Sequence, residues 1–339
     1  MPSEKQYLER RDNIAAILQY LRTHGAGSRR QIADALSLSW GCISELSVML
    51  LNQKILQETD LPHPGAKGRI PSVLSLNPDI CFLGVDINRK ELSGCVCDLT
   101  GKKLATYTDT LRYGTKEELI ACLLDFIKPL LTRHKGIRGI GFAMQGIFDR
   151  NSRQWQFSSD ILLDFDRDIS PHFTVPITVD HDPNCVLYDR LENNQQRKMI
   201  LRLDNGIGAA VYTGNGFMRN DLLEIAALVV NEQGHRLRDM VSTDLLKNTD
   251  DPEAFRQAGM YLGIALGNIC NLLTLDEILI CGDMVACYPR FSPALNEYYE
   301  KAVLSTQKAV ITPVPVTDAA YGAAKMAVDK FPYTEGVIK

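Results

Sequence analysis

The chain has 339 residues, 45% of them hydrophobic and 23% charged, and a formal net charge of −4. That length exceeds one ordinary core and implies two or three domains of a soluble globular protein. No apolar run is long enough to cross a bilayer, and the polar start MPSEKQYLERRDN reads as no secretory signal.

The nine Cys show no CxxC pair and no metal-ligand spacing, which points to buried, reduced thiols in a cytoplasmic protein. Residues 1–77 hold nine Lys/Arg against seven Asp/Glu, and the remainder holds 28 against 34. A slightly basic module on an acidic body is compatible with a nucleic-acid partner.

The segment RDNIAAILQYLRTHG places Ile14, Ile17, Leu18 and Leu21 on one helical face, with Gly25 as its stop. Ser28 is a good N-cap with Gln31 as its capping-box partner, opening a short helix over Arg29–Leu36. Ser37-Leu38 makes a turn, and Ser39 caps a second helix with Ile43, Leu46, Leu50 and Leu51 facing inward. Two short helices joined by a tight turn after a longer one form the helix-turn-helix pattern.

KILQET, the Gly/Pro-bearing loop DLPHPGAKGR and IPSVLSLNP then read as strand, loop and strand, which is a wing. The second short helix offers Trp40, Gly41, Ser44, Glu45 and Ser47 to a major groove, and Gly41 lets the backbone come close. Lys67 and Arg69 in the wing suit phosphates or a minor groove. Ser28, Arg29 and Arg30 at a helix N-terminus suit a phosphate. The competing reading of this unit is a dimerisation or protein-docking module.

From Asp79 onward strands and helices alternate. ICFLGVDI, LSGCVCDL and KLATYTDTL read as successive strands, followed by an amphipathic helix in TKEELIACLLDFIKPLLTRH and a buried strand in IRGIGFAM. VPITVD feeds a helix in HDPNCVLYDRLE. KMILRLDNGIGAAVYTGNGF reads as strand, turn and strand. DPEAFRQAGMYLGIALGNICNLL is a long apolar helix before the strand EILICGD, and the last helix begins near Ala319. Strand triplets followed by helices, occurring twice, predict an α/β body of two similar halves with a ligand cleft between them.

In their order, KGRIPSVLSLNPD, GVDI, GIGFAMQGIFD, VDHDPNC, LDNGIGAAV, LEI and AAYGAAK resemble the transcriptional regulators of the ROK family (repressor, open reading frame, kinase) along nearly the whole chain. The resemblance implies a winged helix-turn-helix over 1–78 and a two-lobed, actin-like sugar-kinase body over 79–339. Lobe I would span about 79–180 plus the C-terminal helix, and lobe II about 181–315. It also implies sugar-binding roles for Asp160, His181, Asp182 and Glu224. Asp182 is the position of the family's general base, though "DHDPNC" also suits a helix N-cap.

Three nucleotide-contacting motifs depart from the kinase pattern. Asn88-Arg89-Lys90 stands where small residues grip phosphate, DNGIG replaces GTGxG and adds Asp204, and Cys281-Gly282-Asp283 replaces three glycines. A carboxylate facing the phosphates is electrostatically wrong for ATP. The family's zinc-binding His falls on Ala227, and NEQGHRLRDMVSTD has no Cys, so neither zinc nor another cofactor is expected.

The expectation is a non-enzymatic repressor of carbohydrate-metabolism genes, with Asp182 vestigial. It would bind double-stranded DNA as a homodimer or homotetramer and answer to a sugar or sugar phosphate. The alternatives are a regulator without a small-molecule effector and an active sugar kinase.

Overall fold

The computed structural model describes residues 4–60, 72–88, 90–149, 152–191, 196–204, 206–218, 224–241, 246–315 and 317–333. Helix α1 (Glu4–His24) starts earlier than its apolar stripe and ends at Gly25, whose φ is 78°. Strand β1 (Ala26–Gly27) leads to α2 (Arg29–Leu36), which Ser28 and Gln31 close with a complete capping box. Ser37, in the left-handed region, ends α2. Ser39 then caps α3 (Trp40–Asn52) by accepting from Cys42 N at 3.2 Å. Strands β2 (Leu56–Asp60) and β3 (Ser72–Leu76) pair antiparallel, and β1 adds to β3. The wing loop between them, with Lys67 and Arg69, lies outside the described residues.

The first half of the body is a five-stranded sheet. Strands β4 (Cys81–Ile87), β5 (Glu91–Asp98) and β6 (Lys103–Thr110) form an antiparallel meander. Helix α4 (Lys116–Arg133) then crosses to β7 (Ile137–Met144), parallel to β4. A small sheet follows, made of β8 (Ile147–Asp149), β9 (Gln154–Gln156) and β10 (Leu162–Leu163). Strand β11 (Ile177–His181) joins β7 in parallel and runs directly into α5 (Asp182–Asp189).

The second half is a four-stranded sheet. The hairpin β12 (Arg197–Leu203) and β13 (Ile207–Thr213) precedes a one-turn helix, α6 (Leu237–Met240), and the long α7 (Pro252–Leu272). Strand β14 (Glu277–Cys281) and β15 (Val310–Pro313), separated by α8 (Tyr288–Ala302), complete it in parallel. Helix α9 (Ala319–Lys330) returns to the first half.

Two sequence expectations need correction here. The second half opens on two strands, not three, among the described residues. After Thr213 the glycine-bearing turn supports only a bridge between Tyr212 and Phe217. The sequence analysis names no helix between EILICGD and Ala319, yet α8 forms there with Pro289 and Pro293 in it. Pro289 sits in the first turn, where its missing N–H costs nothing. The helix is held by a glycine stripe on α7: a Cβ on Gly263 would stand 2.4 Å from the Leu295 carbonyl oxygen.

Helix α9 positions the functional elements. It lies directly on the sheet because Gly84 and Gly141 have no Cβ; one there would fall 1.8 Å and 2.0 Å from the carbonyl oxygens of Ala320 and Ala323. Its other side seats α5 equally closely. The winged module shares a core with the body rather than forming an isolated bead. Ile14, Leu18 and Leu21 of α1 are buried in one cluster with Phe82, Leu99, Ala324 and Val328.

Candidate functional site

A cleft of about 1540 Å³ opens beyond the carboxyl ends of the parallel strands of both sheets. Such crevices are where ligands bind in α/β sheets. Its wall is mixed: His181, Asp182, Arg202, Asp204, Glu224 and Asp283 line it beside apolar residues such as Ile207 and Met218. Asp160 does not line it; it lies exposed on the bend before β10. The structure therefore brings together three of the four residues expected to hold a sugar and leaves Asp160 apart. Trp155 does not fill the cleft. It is buried behind it, its ring 4.5 Å from that of His181 at 62°. Leu222 and Leu223, the other side chains able to fill it, lie outside the described residues.

His181 is the N-cap residue of α5 but makes no side-chain capping bond, and burial lowers its pKa. Asp182 is the first helical residue, so its carboxylate is not the cap. Instead Arg202 Nη1 donates to Asp182 Oδ2 at 2.6 Å, and Arg202 Nε donates to Asp204 Oδ2 at 2.6 Å. Burial lifts the Asp182 carboxyl to about 6, against the opposing pull of Arg202. Asp86 at the end of the first hairpin is lifted to about 7 by burial and by the Asp182 charge. Its Oδ1 is buried without a hydrogen-bond partner among the described residues.

One wall of the cleft is tied together from within. Asp204 Oδ1 accepts from the backbone N–H of Asp283 at 2.7 Å. Asp283 also accepts from Lys247 Nζ at 2.6 Å. The first hairpin closes tightly, with Asn88 N donating to Glu91 O at 3.1 Å. Glu224 is exposed at the start of a short 3₁₀ turn, Ile225–Ala227. Among the described residues no group of three His, Cys, Asp or Glu could hold a metal ion.

The winged module presents α3. Trp40 is 62% exposed, Gly41 has nothing within 4 Å of a would-be Cβ, and Ser44 and Glu45 share that face. Ser47, expected to be exposed, is fully buried and accepts from Arg29 Nε at 2.9 Å. Arg29 also pairs with Glu58 at 2.5 Å, so it braces α2 against α3 and β2. Arg30 remains on the outside. Glu45 is neutralised by Arg10 of α1 at 3.1 Å, which offsets the repulsion it would exert on backbone phosphates.

Sequence reasoning missed Arg202, Asp86 and Val48. Arg202 carries a signal: a cation on the same strand face as Lys198 and Ile200, in the apolar run MILRLD, demands a carboxylate partner. Val48, 52% exposed, lies one helical turn beyond Ser44 on the face of Trp40.

Residues 82–221 match the ROK family. Among curated proteins, the xylose repressor of Bacillus spizizenii is 20% identical over 321 residues, covering 82% of this chain and 83% of that one. The DNA-binding transcriptional dual regulator NagC of Escherichia coli strain K12 is 20% identical over 358 residues, covering 90% and 87%. Among solved structures, a ROK family transcriptional regulator, a homologue of the E. coli MLC protein, superposes with a TM-score of 0.79 at 16% identity, covering 94% and 96%.

A ROK family glucokinase from Streptomyces griseus, in complex with glucose and AMPPNP, superposes with a TM-score of 0.57 at 14% identity. It covers 73% of this chain and 99% of its own. The regulator thus matches the fold from end to end, and the kinase matches a part of it. Residues 82–221 thus resemble the ROK family, in a fold shared along nearly the whole chain with a ROK family regulator.

Proposed function

We propose that the chain is a DNA-binding transcriptional regulator, a repressor of carbohydrate-metabolism genes, whose cleft senses a sugar instead of phosphorylating it. The observation that carries this reading is Asp204, which bonds both Arg202 and the backbone amide of Asp283. An anion of the chain stands where nucleotide phosphate would be held, and Asp182, the position of a general base, is engaged by Arg202. The winged module over 1–78 reads DNA, and the body over 79–339 senses and dimerises. The xylose repressor and the dual regulator NagC support the assignment, since they align over more than four fifths of the chain. A cytoplasmic homodimer would set two α3 helices in successive major grooves, about 34 Å apart.

His181, Asp182 and Glu224 are the residues to which we assign sugar hydroxyls. Carboxylates accept from hydroxyls, and a bidentate one can hold a vicinal pair. In the lining, Arg202 and Lys247 are each held by carboxylates, while Lys90 and Arg238 line it as well, so a sugar and a sugar phosphate are both effector classes to test.

The test is fluorescence anisotropy on DNA from upstream of the chain's own coding region, with a panel of sugars and sugar phosphates. Tight binding that one sugar or sugar phosphate of the panel weakens by at least about tenfold is expected. Binding no tighter than to a random duplex would sink the assignment. Incubation with ATP and the same sugars is expected to form no ADP. ADP formation abolished by Asp182→Asn would mark a kinase instead.

Gly41→Ala separates folding from DNA contact. Its Cβ meets open space, so Ala meets no clash there and does not lower helix stability. The same methyl stands off an approaching DNA backbone. The expected result is an unchanged or higher melting temperature with weaker DNA binding. Unchanged DNA affinity would remove this face of α3 from the interface.

A further inference from the structure

Helix α5 joins the cleft to the winged module. Its first residue is Asp182, bonded to Arg202 in the cleft, and its seventh is Tyr188. Eight residues at 1.5 Å each make a rod of about 12 Å. At its far end the Tyr188 hydroxyl donates to Asp329 Oδ2, at the end of α9. The other oxygen of the same carboxylate accepts from Arg22 Nη1 at 2.7 Å. Arg22 lies in the last turn of α1 and also donates from Nε to the Leu99 carbonyl at 2.9 Å. Thus one carboxylate holds the C-terminal end of α5 with one oxygen and the winged module with the other.

We propose that α5 carries the state of the cleft to the winged module through Tyr188, Asp329 and Arg22. The inference rests on the reading that the cleft takes an effector which controls DNA binding. The rod stands between the two halves. One side meets α9, where a Cβ on Gly322 would fall 1.8 Å from the Cys185 carbonyl oxygen. The other side meets β13, where a Cβ on Gly208 would stand 3.0 Å from Pro183. Closure of the halves on a ligand therefore tilts α5 against α9 instead of sliding past it.

Tyr188 then turns the Asp329 carboxylate, and the direction of the Arg22 bond turns with it. Helix α1 responds as a lever because Ile17 and Leu21 of its apolar face are buried in the same core as Ile32 of α2 and Ile43 of α3. Between α1, the turn after β13 and the end of α9 there is also a cavity of about 1540 Å³, which leaves room for that motion.

The relay is testable without knowing the effector or the operator. Amide hydrogen exchange is measured on the full chain, its Asp182→Asn and Tyr188→Phe variants, and the double variant. Asp182→Asn disturbs the cleft end of α5, and Tyr188→Phe removes only the hydroxyl. Asp182→Asn is expected to accelerate exchange in residues 18–24 by at least about fivefold, the low end of coupling between sites. In the Tyr188→Phe background the same change should move those amides less than about twofold.

Residues 18–24 unmoved by Asp182→Asn, or moved equally in both backgrounds, would overturn the relay. Asp204→Asn, which loosens Arg202 from its other side, replaces Asp182→Asn if that variant melts early. The DNA-binding assay fails or succeeds independently of this one. Moved amides without sugar-responsive DNA binding would keep the relay and sink the regulator, and the reverse result would do the opposite.

Discussion

Arg202→Met is expected to lower the stability of the fold by about 3–5 kcal/mol at neutral pH, the usual loss when one partner of a buried ion pair is removed. Its side chain is 13% exposed and that of Asp182 10%, so solvent cannot take over the lost bond. The change leaves Asp182 buried beside Asp204 with no cation between them.

The loss should depend on pH, and its sign is fixed by two carboxyls. Burial holds Asp182 up to about 6 and Asp86 up to about 7, above their ordinary value. The folded chain therefore keeps protons that the unfolded chain has released. The stability contributed by these groups is fully present below about pH 4 and falls as pH rises through 6 and 7. Arg202 opposes both upward shifts. Without it both groups rise further and the decline reaches higher pH.

Thermal melts at pH 5 and pH 8 should show the variant much closer to the parent at pH 5. Equal losses at both values would mean that Arg202 contributes packing by its stem and not charge. A second change, Asp182→Leu in the Arg202→Met background, should recover most of the stability, because an apolar pair of similar volume needs no partner.

Much of the fold is legible in the sequence because its elements carry their own boundaries. Ser28 with Gln31, and Ser39, mark the starts of α2 and α3, and both caps are formed. The strand–turn–strand pattern around Asp86 and the apolar α7 follow from periodicity alone. What stayed hidden depends on partners distant in sequence. Helix α8 needs the glycine stripe of α7 to accept its proline-bearing sequence. Asp160 fits the motif order, yet lies off the cleft, since the small sheet β8–β10 places the bend that carries it outward.

The same limit applies to charge. Asp204 was legible as an added carboxylate, but its bond to the Asp283 amide was not, because Asp283 lies 79 residues away. Ser47 looked like an exposed polar residue on α3; its burial follows from Arg29 reaching across from α2. Side-chain type and spacing locate helices and strands. They do not say which of two neighbouring polar residues a distant arginine will claim.

Gly322→Ala should be the most damaging methyl that can be added to α9. By helix propensity alone Ala would gain about 1 kcal/mol over Gly. Here the new Cβ would fall 1.8 Å from the Cys185 carbonyl oxygen and 2.5 Å from its carbon, both backbone atoms of α5. Backbone cannot rotate away as a side chain can, so α5 and α9 must separate. Overpacking of this kind costs typically 1–3 kcal/mol and occasionally more, which exceeds the propensity gain and sets the sign.

The contrast with Gly41→Ala is then one of surroundings only, with the same atom added to two helices and a lower melting temperature at Gly322 alone. Separation of α5 from α9 would also lengthen the Tyr188–Asp329 bond, so Gly322→Ala should blunt the exchange response of residues 18–24 to Asp182→Asn. A variant that melts with the parent would mean that α5 stands off α9, and a rod without that support could not turn Asp329.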